Sequence, residues 1–392
     1  MREAYIVTSI RTPGCRRKKG AFKDTRPDDL LAHVLGAVVE QTPNLEKKDV
    51  DDIMIGCSFP EAEQGLNIGR IASQMAGFPE TVSGATVNRF CASGLEAIAQ
   101  AAMRVMAGWA DIAIGGGVES MTYVPLGGYM FRPNPAFTDE EVRLYTAMGI
   151  TAEIVSRKYG VSREEQDAFA YESHMKAAKA RAEGTFIEIV PTPATRFVPR
   201  EDGTFVRESF VQSVDDGIRE DTTPETLARL RPVFARKGTV TAGNSSQMTD
   251  GAAATLIMSG EKARELGVTP LAKFSAYTTV GCKPEEMGVG PRYAIPKLLD
   301  MAGLSIDDIG LFEINEAFAA QALYCVRELG IDREKLNIHG GAIALGHPLG
   351  CTGAKLCATL LANMRRRGVK YGVESMCVGG GMGAAALFEL VD

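Results

Sequence analysis

A cysteine at the start of a predicted helix is the most reactive candidate in this sequence. Cys91 follows small residues and precedes apolar residues at helical spacing, which begin at Leu95. Because Ser93 and Gly94 let the backbone turn, Cys91 is predicted at the helix N-terminus, where unpaired N–H groups lower a thiol pKa. The resulting thiolate could serve as a nucleophile that forms a covalent intermediate. A buried structural cysteine is the alternative interpretation.

Three further segments place reactive side chains among small residues. Asn315 follows an apolar strand, His347 lies in a glycine-rich segment, and Cys377 precedes three glycines. Each segment lies near the end of a predicted strand, where an open α/β sheet forms its ligand crevice. Glycines there let backbone N–H groups approach a ligand. A loop histidine and a core cysteine are the structural alternatives, but these glycine-rich settings favour catalysis.

Composition excludes several classes of function. The chain has 392 residues, 45% apolar and 23% charged, which is typical of a globular protein with two or three folding units. Its net charge of −6 argues against a nucleic-acid surface, and no apolar run has membrane-spanning length. Eight cysteines without a CxxC pair or a secretory signal predict reduced thiols in a cytoplasmic protein. Four histidines without ligand spacing predict no metal site.

The pattern of elements predicts an α/β fold interrupted by an insertion. Short apolar strands alternate with helices over residues 1–120, and the alternation resumes over 250–270 and 271–392. Residues 121–249 are instead rich in prolines and charges. We expect this insertion to form a lid or a subunit contact and not a second core.

Within the insertion, the clearest signal is a long helix. Ser162 and Glu165 form a capping box that predicts a helix over 162–183, which Gly184 would end. Residues 191–210 are predicted as a loop with a short hairpin.

Several strand and loop predictions concern the candidate site. A strand over 111–115 is expected to stop at two glycines, a helix is predicted over 316–329, and 339–350 is predicted as a loop. The predicted strands at 251–258 and 383–390 have similar amino-acid sequences. This similarity predicts an internal duplication of two α/β halves.

Together these motifs resemble the thiolase family, which makes and breaks 3-ketoacyl-CoA thioesters, and the resemblance covers essentially the whole chain. It implies a thiolase-like α/β fold with two duplicated halves in five layers (αβαβα). The expected division is an N-terminal half (1–120 and 250–270), an inserted loop domain for coenzyme A and subunit contacts (121–249), and a C-terminal half (271–392). Coenzyme A would be a substrate, with no metal and no nucleotide redox cofactor.

The resemblance also implies roles for the reactive residues. Cys91 would be the nucleophile that becomes acylated, and His347 the base that deprotonates it. Cys377 would exchange protons with the substrate carbon and with the CoA sulfur. Asn315 would hold a water that, with His347, stabilises an enolate oxygen. The N–H groups of Cys91 and Gly379 would form a second oxyanion hole.

Coenzyme A binding is assigned by resemblance to the insertion. Ser246 would hydrogen-bond the pantetheine arm, Arg219 and Thr226 would lie near the adenine nucleotide, and Met148 would line the acyl pocket. For Arg219, a solvated surface charge is the alternative. The remaining histidines and two cysteines of the last helix receive no chemical role: His33, His174, His339, Cys351 and Cys357.

One departure from the family pattern bears on the subclass. Biosynthetic acetoacetyl-CoA thiolases usually carry a histidine where this chain has Ala147. We therefore favour a degradative 3-ketoacyl-CoA thiolase of β-oxidation, with a biosynthetic acetyl-CoA C-acetyltransferase as the alternative. A ketoacyl synthase and a non-catalytic carrier of acyl-CoA or lipid are further hypotheses. The resemblance implies a homodimer or homotetramer and allows a partner in a β-oxidation multienzyme complex.

Overall fold

A computed structural model describes residues 2–138 and 140–391 of the chain. Met1 and Asp392, the outer ends of the predicted domains, and Asp139, within the predicted insertion, lie outside the described residues. The strands are β1 (Ala4–Arg11), β2 (Cys15–Arg16), β3 (Asp52–Gly56), β4 (Ser83–Val87), β5 (Ile112–Ser120), β6 (Thr192–Pro199), β7 (Phe205–Gln212), β8 (Thr249–Ser259), β9 (Ala272–Gly281), β10 (Leu311–Ile314), β11 (Tyr371–Val378) and β12 (Met382–Leu390). The helices are α1 (Pro27–Glu40), α2 (Ile68–Met75), α3 (Ser93–Ala107), α4 (Met148–Tyr159), α5 (Arg163–Ala182), α6 (Pro224–Ala228), α7 (Gly260–Leu266), α8 (Gly290–Ala302), α9 (Ala319–Leu329), α10 (Ala342–Leu345) and α11 (Thr352–Arg367).

The strands form two halves with the same internal order. One half runs β3-β5-β8-β1 with β4 added at its edge, and the other runs β10-β11-β12-β9. In each half the first two strands are parallel and the later pairs are antiparallel. A short pairing of β1 with β9 joins the halves. Strands β8 and β12, which have similar sequences, are each the third strand of their half. The predicted duplication is therefore confirmed.

Helices cover and separate the two half-sheets. An apolar cluster joins α1 and α2 to the outer face of the first half, and another joins α8 and α9 to the outer face of the second. The third cluster lies between the halves, where α3 and α11 pack against strands of both. The order helix, sheet, helix, sheet, helix confirms the predicted five-layer arrangement.

The N-terminal ends of the two central helices touch backbone to backbone. A Cβ atom built on Gly353 in α11 would lie 2.3 Å from the nitrogen of Leu95 in α3. A Cβ atom built on Gly94 would lie 2.7 Å from the nitrogen of Ala354. Any side chain at either glycine would therefore push the helix ends apart.

The helices of the insertion pack on the second half of the fold, and its hairpin packs on the first half. The capping box of Ser162 and Glu165 starts α5, and Gly184 follows its end with a φ of 64°, so the predicted helix is confirmed. The pairing of β6 and β7 confirms the hairpin predicted over 191–210. Apolar side chains from α4 and α5, such as Val155 and Phe169, join the cluster beneath α8 and α9.

The first of three local predictions that were wrong concerns β5, which continues through the glycines to Ser120. A Cβ atom built on Gly115 would lie 2.5 Å from the Cα atom of Ile98, and one on Gly117 would lie 2.4 Å from the carbonyl oxygen of Gly350. These glycines do not stop the strand. They allow neighbouring backbone to approach it.

The other two errors lie next to the candidate site. The helix predicted from residue 316 begins at Ala319, because Asn315 continues the pairing with β11 by donating its N–H to Ser375 (2.9 Å). The loop predicted over 339–350 contains the short helix α10. In both places the chain is shaped by contacts distant in sequence.

Two carboxyl groups lie side by side in the interior. Glu313 and Glu374 are paired across β10 and β11, and both are buried. Both carboxyl oxygens of Glu374 lack a hydrogen-bond partner among the described residues. Burial, reinforced by the charge of Glu316, raises the pKa of Glu313 to about 8. Burial and the charge of Glu313 raise the pKa of Glu374 as well, so the pair holds a proton at neutral pH.

The helix contact predicts opposite outcomes for two glycine substitutions within helices. Gly353→Ala should destabilise the fold by ~1–3 kcal/mol, because its methyl group would meet backbone atoms of α3. Gly36→Ala in α1 is the matched control, since the nearest atom to its Cβ would be a flexible Glu40 oxygen at 3.8 Å. That variant should be more stable by about 0.5–1 kcal/mol. Urea unfolding measures both, and equal stabilities for the two variants would contradict the packing argument.

Candidate active site

A tight turn places Cys91 at the head of α3. Residues Phe90–Ala92 form a 3-10 turn that leads into the helix, and Phe90 has a φ of 45°, a strained value for a residue other than glycine. The hydroxyl of Ser93 holds this turn, because it donates to the Phe90 carbonyl (2.6 Å) and accepts from the Arg89 N–H (2.9 Å). Cys91 itself is 1% exposed.

Burial decides the protonation state of Cys91. It raises the pKa of the thiol to about 12, although the N–H groups of Gly379 and of Cys91 itself donate to the sulfur and lower the pKa. The prediction that the helix N-terminus would give a lowered pKa is therefore wrong, because loss of water outweighs those donors. A base must remove the proton when the thiol reacts.

His347 is held as a neutral base. Its Nδ1 lies 2.5 Å from the Thr352 hydroxyl, which itself donates to the Pro348 carbonyl (3.2 Å), so Nδ1–H is the donor to Thr352. The other ring nitrogen, Nε2, accepts from the Asn315 side-chain amide (3.3 Å). Burial and the Lys355 cation lower the pKa of His347 to about 3. The imidazole thus keeps a lone pair on Nε2.

The two predicted cysteines and the histidine converge in one buried place. The Phe90–Ala92 turn packs against β11, which carries Cys377, and against the Leu349–Cys351 turn that follows His347. Cys377 is fully buried, and the pKa of its thiol is raised by burial and then by the charge of Cys91. The structure therefore places the two thiols together and brings the segment that follows His347 against the turn that carries Cys91.

The Asn315 side chain and the Gly379 backbone N–H are two further polar groups of this site. Asn315 is fully buried beside His347, and its side-chain oxygen has no partner among the described residues. The N–H of Gly379 reaches the Cys91 sulfur, where the carbonyl oxygen of an acyl group would lie after attack. The Gly379 N–H can stabilise negative charge that develops on oxygen, and the free Asn315 oxygen can accept a hydrogen bond from a water molecule.

Two of the predicted coenzyme A residues lie near the site. Met148, at the start of α4, contacts both the apolar cluster of Cys91 and that of Cys377. Ser246 is half-buried, and its N–H donates to the Ala317 carbonyl (2.9 Å), two residues beyond Asn315.

The other two predicted coenzyme A residues lie on the exposed surface of the insertion. Arg219 donates its backbone N–H to His174 (3.2 Å), and Thr226 uses its hydroxyl to cap α6 through Thr223. No hydrogen bond or ion pair among the described residues joins either of them to the reactive thiols.

Sequence reasoning missed two residues that hold His347. Thr352 binds the imidazole directly, and Gln247 accepts the His347 N–H on its carbonyl (2.9 Å). The Gln247 side chain donates to the carbonyls of Gly217 (2.8 Å) and Ile343 (2.9 Å), which ties the insertion to the histidine loop. A polar side chain at the first position of an apolar helix was the available signal for Thr352. Nothing in the sequence distinguishes Gln247.

A cavity is present away from the reactive side chains. A cavity of about 530 Å³ lies between α4 and residues 235–239, lined in part by Ile150, Arg157 and Lys237, and none of the reactive side chains borders it. Residues 2–138 and 140–391 contain no cluster of His, Cys, Asp or Glu suited to a metal ion. Among the helices of this described part, none is long and apolar enough to cross a bilayer.

Comparisons with known proteins agree with the geometry. The family model for the thiolase N-terminal domain matches residues 4–261, and that for the thiolase C-terminal domain matches residues 268–390. The 3-ketoacyl-CoA thiolase of Bacillus subtilis is 54% identical over 391 residues, which is 100% of both chains.

Two solved structures resemble the whole chain. The acetyl-CoA acetyltransferase of Bacillus anthracis has a TM-score of 0.90 at 39% identity and covers 100% of this chain and 99% of its own. The dimeric peroxisomal thiolase of Saccharomyces cerevisiae has a TM-score of 0.89 at 40% identity, with coverage of 99% and 98%.

The family models that match both parts of the chain, together with its relatives, define an acyltransferase. The chain belongs to the thiolase family. As a thiolase it uses coenzyme A as a substrate and requires no metal cofactor.

The two reactive thiols should fail in different ways when removed. With acetyl-CoA as donor, Cys91→Ala should abolish covalent acetyl labelling, whereas Cys377→Ala should retain labelling but lose turnover. Cys357→Ala, at another fully buried free thiol, is the matched control and should keep both properties. Intact-mass spectrometry measures labelling, and full turnover by Cys91→Ala would refute the assignment.

Proposed function

We propose that this chain is a degradative 3-ketoacyl-CoA thiolase, which cleaves a 3-ketoacyl-CoA with CoA to give acetyl-CoA and a shortened acyl-CoA. The observation that carries the proposal is the convergence of Cys91 and Cys377 with the neutral base His347 and the amide of Asn315. The Bacillus subtilis relative named for this activity, 54% identical along the whole chain, supports it.

The first half-reaction forms an acyl-enzyme. The His347 Nε2 takes the proton of Cys91, and the sulfur attacks the 3-keto carbon. The N–H groups of Cys91 and Gly379 stabilise the alkoxide, and the bond between carbons 2 and 3 then breaks. The enolate of acetyl-CoA forms beside Asn315 and His347, and Cys377 donates its proton to carbon 2. Acetyl-CoA leaves, and the shortened acyl group remains on Cys91.

The second half-reaction returns the enzyme to its starting state. The Cys377 thiolate takes the proton of the incoming CoA thiol, and the CoA sulfur attacks the thioester on Cys91. The same two N–H groups stabilise the second alkoxide. The shortened acyl-CoA leaves, and protonated His347 returns its proton to the Cys91 sulfur. All atoms and protons balance without an oxidant or a metal.

The start of α4 supports the degradative subclass. Ala147 is exposed at the N-cap of α4, directly before Met148, which contacts both reactive clusters. A methyl side chain there, instead of a histidine, would leave more space beside Met148 for a longer acyl chain. The alternative is the short-chain acetyl-CoA C-acetyltransferase, an activity named for the Bacillus anthracis structural neighbour.

A rate series over ketoacyl-CoA chain lengths tests both function and subclass. Substrates longer than four carbons should be cleaved with kcat/KM equal to or above that of acetoacetyl-CoA. Ala147→His should lower kcat/KM for the longer substrates by about tenfold and spare acetoacetyl-CoA, because the added ring occupies acyl space. A sharp preference of the unmodified enzyme for four carbons would overturn the subclass.

We also propose that the chain works as a cytoplasmic homodimer or homotetramer. Strand β4 lies at the sheet edge and pairs only with β3 among the described strands. Leu66, which is 91% exposed, and Phe90, 39% exposed, add apolar surface. The yeast structural neighbour is described as dimeric. Sedimentation velocity showing only monomer would contradict this proposal. A β-oxidation multienzyme partner stays a prediction from the sequence.

A further inference from the structure

A buried carboxylate that takes no part in the proposed chemistry contacts the loops next to the reactive residues. Glu119, near the end of β5, is 1% exposed. Its Oε2 accepts the N–H groups of Ser58 (2.9 Å) and Gly350 (2.7 Å). Its Oε1 accepts from the Gln64 side-chain amide and from the Cys57 thiol. No ion pair among the described residues includes Glu119, so neutral hydrogen-bond donors stabilise its carboxylate.

The Ser58 side of this contact leads to the nucleophile. The Ser58 hydroxyl donates to the carbonyl of Phe90 (2.9 Å), the residue immediately before Cys91. The Asn88 amide donates to the Ser58 carbonyl (2.9 Å), and its oxygen accepts the Phe90 N–H (2.8 Å). The position of the Cys91 turn therefore depends on where Ser58 is held.

The Gly350 side leads to the base. Gly350 lies three residues after His347, in the Leu349–Cys351 turn that precedes α11. A Cβ atom built on Gly350 would lie 2.6 Å from the Ser58 nitrogen and 2.8 Å from the Glu119 Oε2. The two loops thus meet at one carboxylate oxygen with no space for a side chain between them.

We propose that Glu119 is a positioning residue that holds the His347 loop against the Cys91 loop at the separation needed for proton transfer. This inference rests on the proposed function, in which His347 deprotonates Cys91. Proton transfer requires donor and acceptor within hydrogen-bond reach, and a displacement of about 1 Å can cost ~100-fold in rate. The ionisable groups facing the Glu119 carboxylate are the thiols of Cys57, Cys91 and Cys351.

Two substitutions separate the positioning of the loops from the charge. Glu119→Gln keeps the side-chain length but replaces one carboxylate oxygen with an amide that cannot accept an N–H. Glu119→Asp keeps the charge but is one methylene too short to reach both loops. The matched control is Asp250→Asn. Asp250 is equally buried, but among the described residues its carboxylate accepts from the segment Ser120 to Thr122 and not from the His347 loop.

Steady-state kinetics give the first readout. Both Glu119 variants should lose at least about tenfold in kcat while KM for the acyl-CoA changes less than about twofold, because the described hydrogen bonds of Glu119 reach none of the residues assigned to coenzyme A. Asp250→Asn also alters a buried carboxylate. It should lower Tm about as much as the Glu119 variants do, but without this loss of kcat. Retention of kcat within twofold by both Glu119 variants would overturn the proposal.

Alkylation by iodoacetamide gives a second readout that does not require turnover. If Glu119 positions His347, Cys91 in Glu119→Asp should be alkylated more slowly than in the unmodified enzyme at pH 8, because its base is displaced. A merely loosened structure would instead speed alkylation of Cys91 and of other buried thiols, and peptide mass spectrometry distinguishes the two. That faster pattern would refute the proposal.

The two readouts also separate this inference from the proposed function. If the unmodified enzyme cleaves no 3-ketoacyl-CoA, the proposed function fails, and the Cys91 alkylation rate still tests Glu119. If Glu119→Gln does not fold, Glu119→Asp decides both measurements, because it retains the charge and the burial of the native side chain.

Discussion

The backbone contact between the first turns of α3 and α11 is the constraint on which the rest of the structure depends. Gly94 and Gly353 let the two helix ends meet where any side chain would separate them. Cys91 precedes one of these helices and His347 precedes the other. A contact made by the middle layer of the fold therefore sets the separation of nucleophile and base. The duplicated half-sheets on either side hold that layer in place.

Burial gives the site a neutral resting state. Loss of water raises the pKa of Cys91 to about 12 and lowers that of His347 to about 3, so the thiol and the imidazole are both uncharged. Charge then arises only when substrate arrives, among donors that are already in place. Reactivity in such a site depends on geometry more than on a standing thiolate. This explains why the contacts around His347 involve so many distant segments.

Much of this arrangement could be predicted from the sequence, but the rest depends on contacts that no local pattern encodes. Apolar periodicity and the Ser162 capping box located the helices, and the resemblance located Cys91, His347 and Cys377. The glycines within β5 were wrongly predicted to end the strand, whereas Gly115 allows α3 to pack closely against it. The direction of the Cys91 pKa shift was wrong, since burial is a tertiary property. Gln247 acts through backbone carbonyls, which leave no mark in a single sequence.

The buried carboxyl pair of Glu313 and Glu374 binds a proton more tightly in the folded chain than in the unfolded chain, because folding raises both pKa values. Both members are buried, and folding there costs less when they are uncharged. Because the pKa of Glu313 rises from 4.5 to about 8, its contribution to the free energy of unfolding is complete below 4.5 and is lost as pH rises through 8. The charged groups nearest to it are Glu316, Lys355, Glu188 and Lys176. Alkaline solution should thus weaken the outer strands β10 and β11 of the second half-sheet before it affects the exposed insertion.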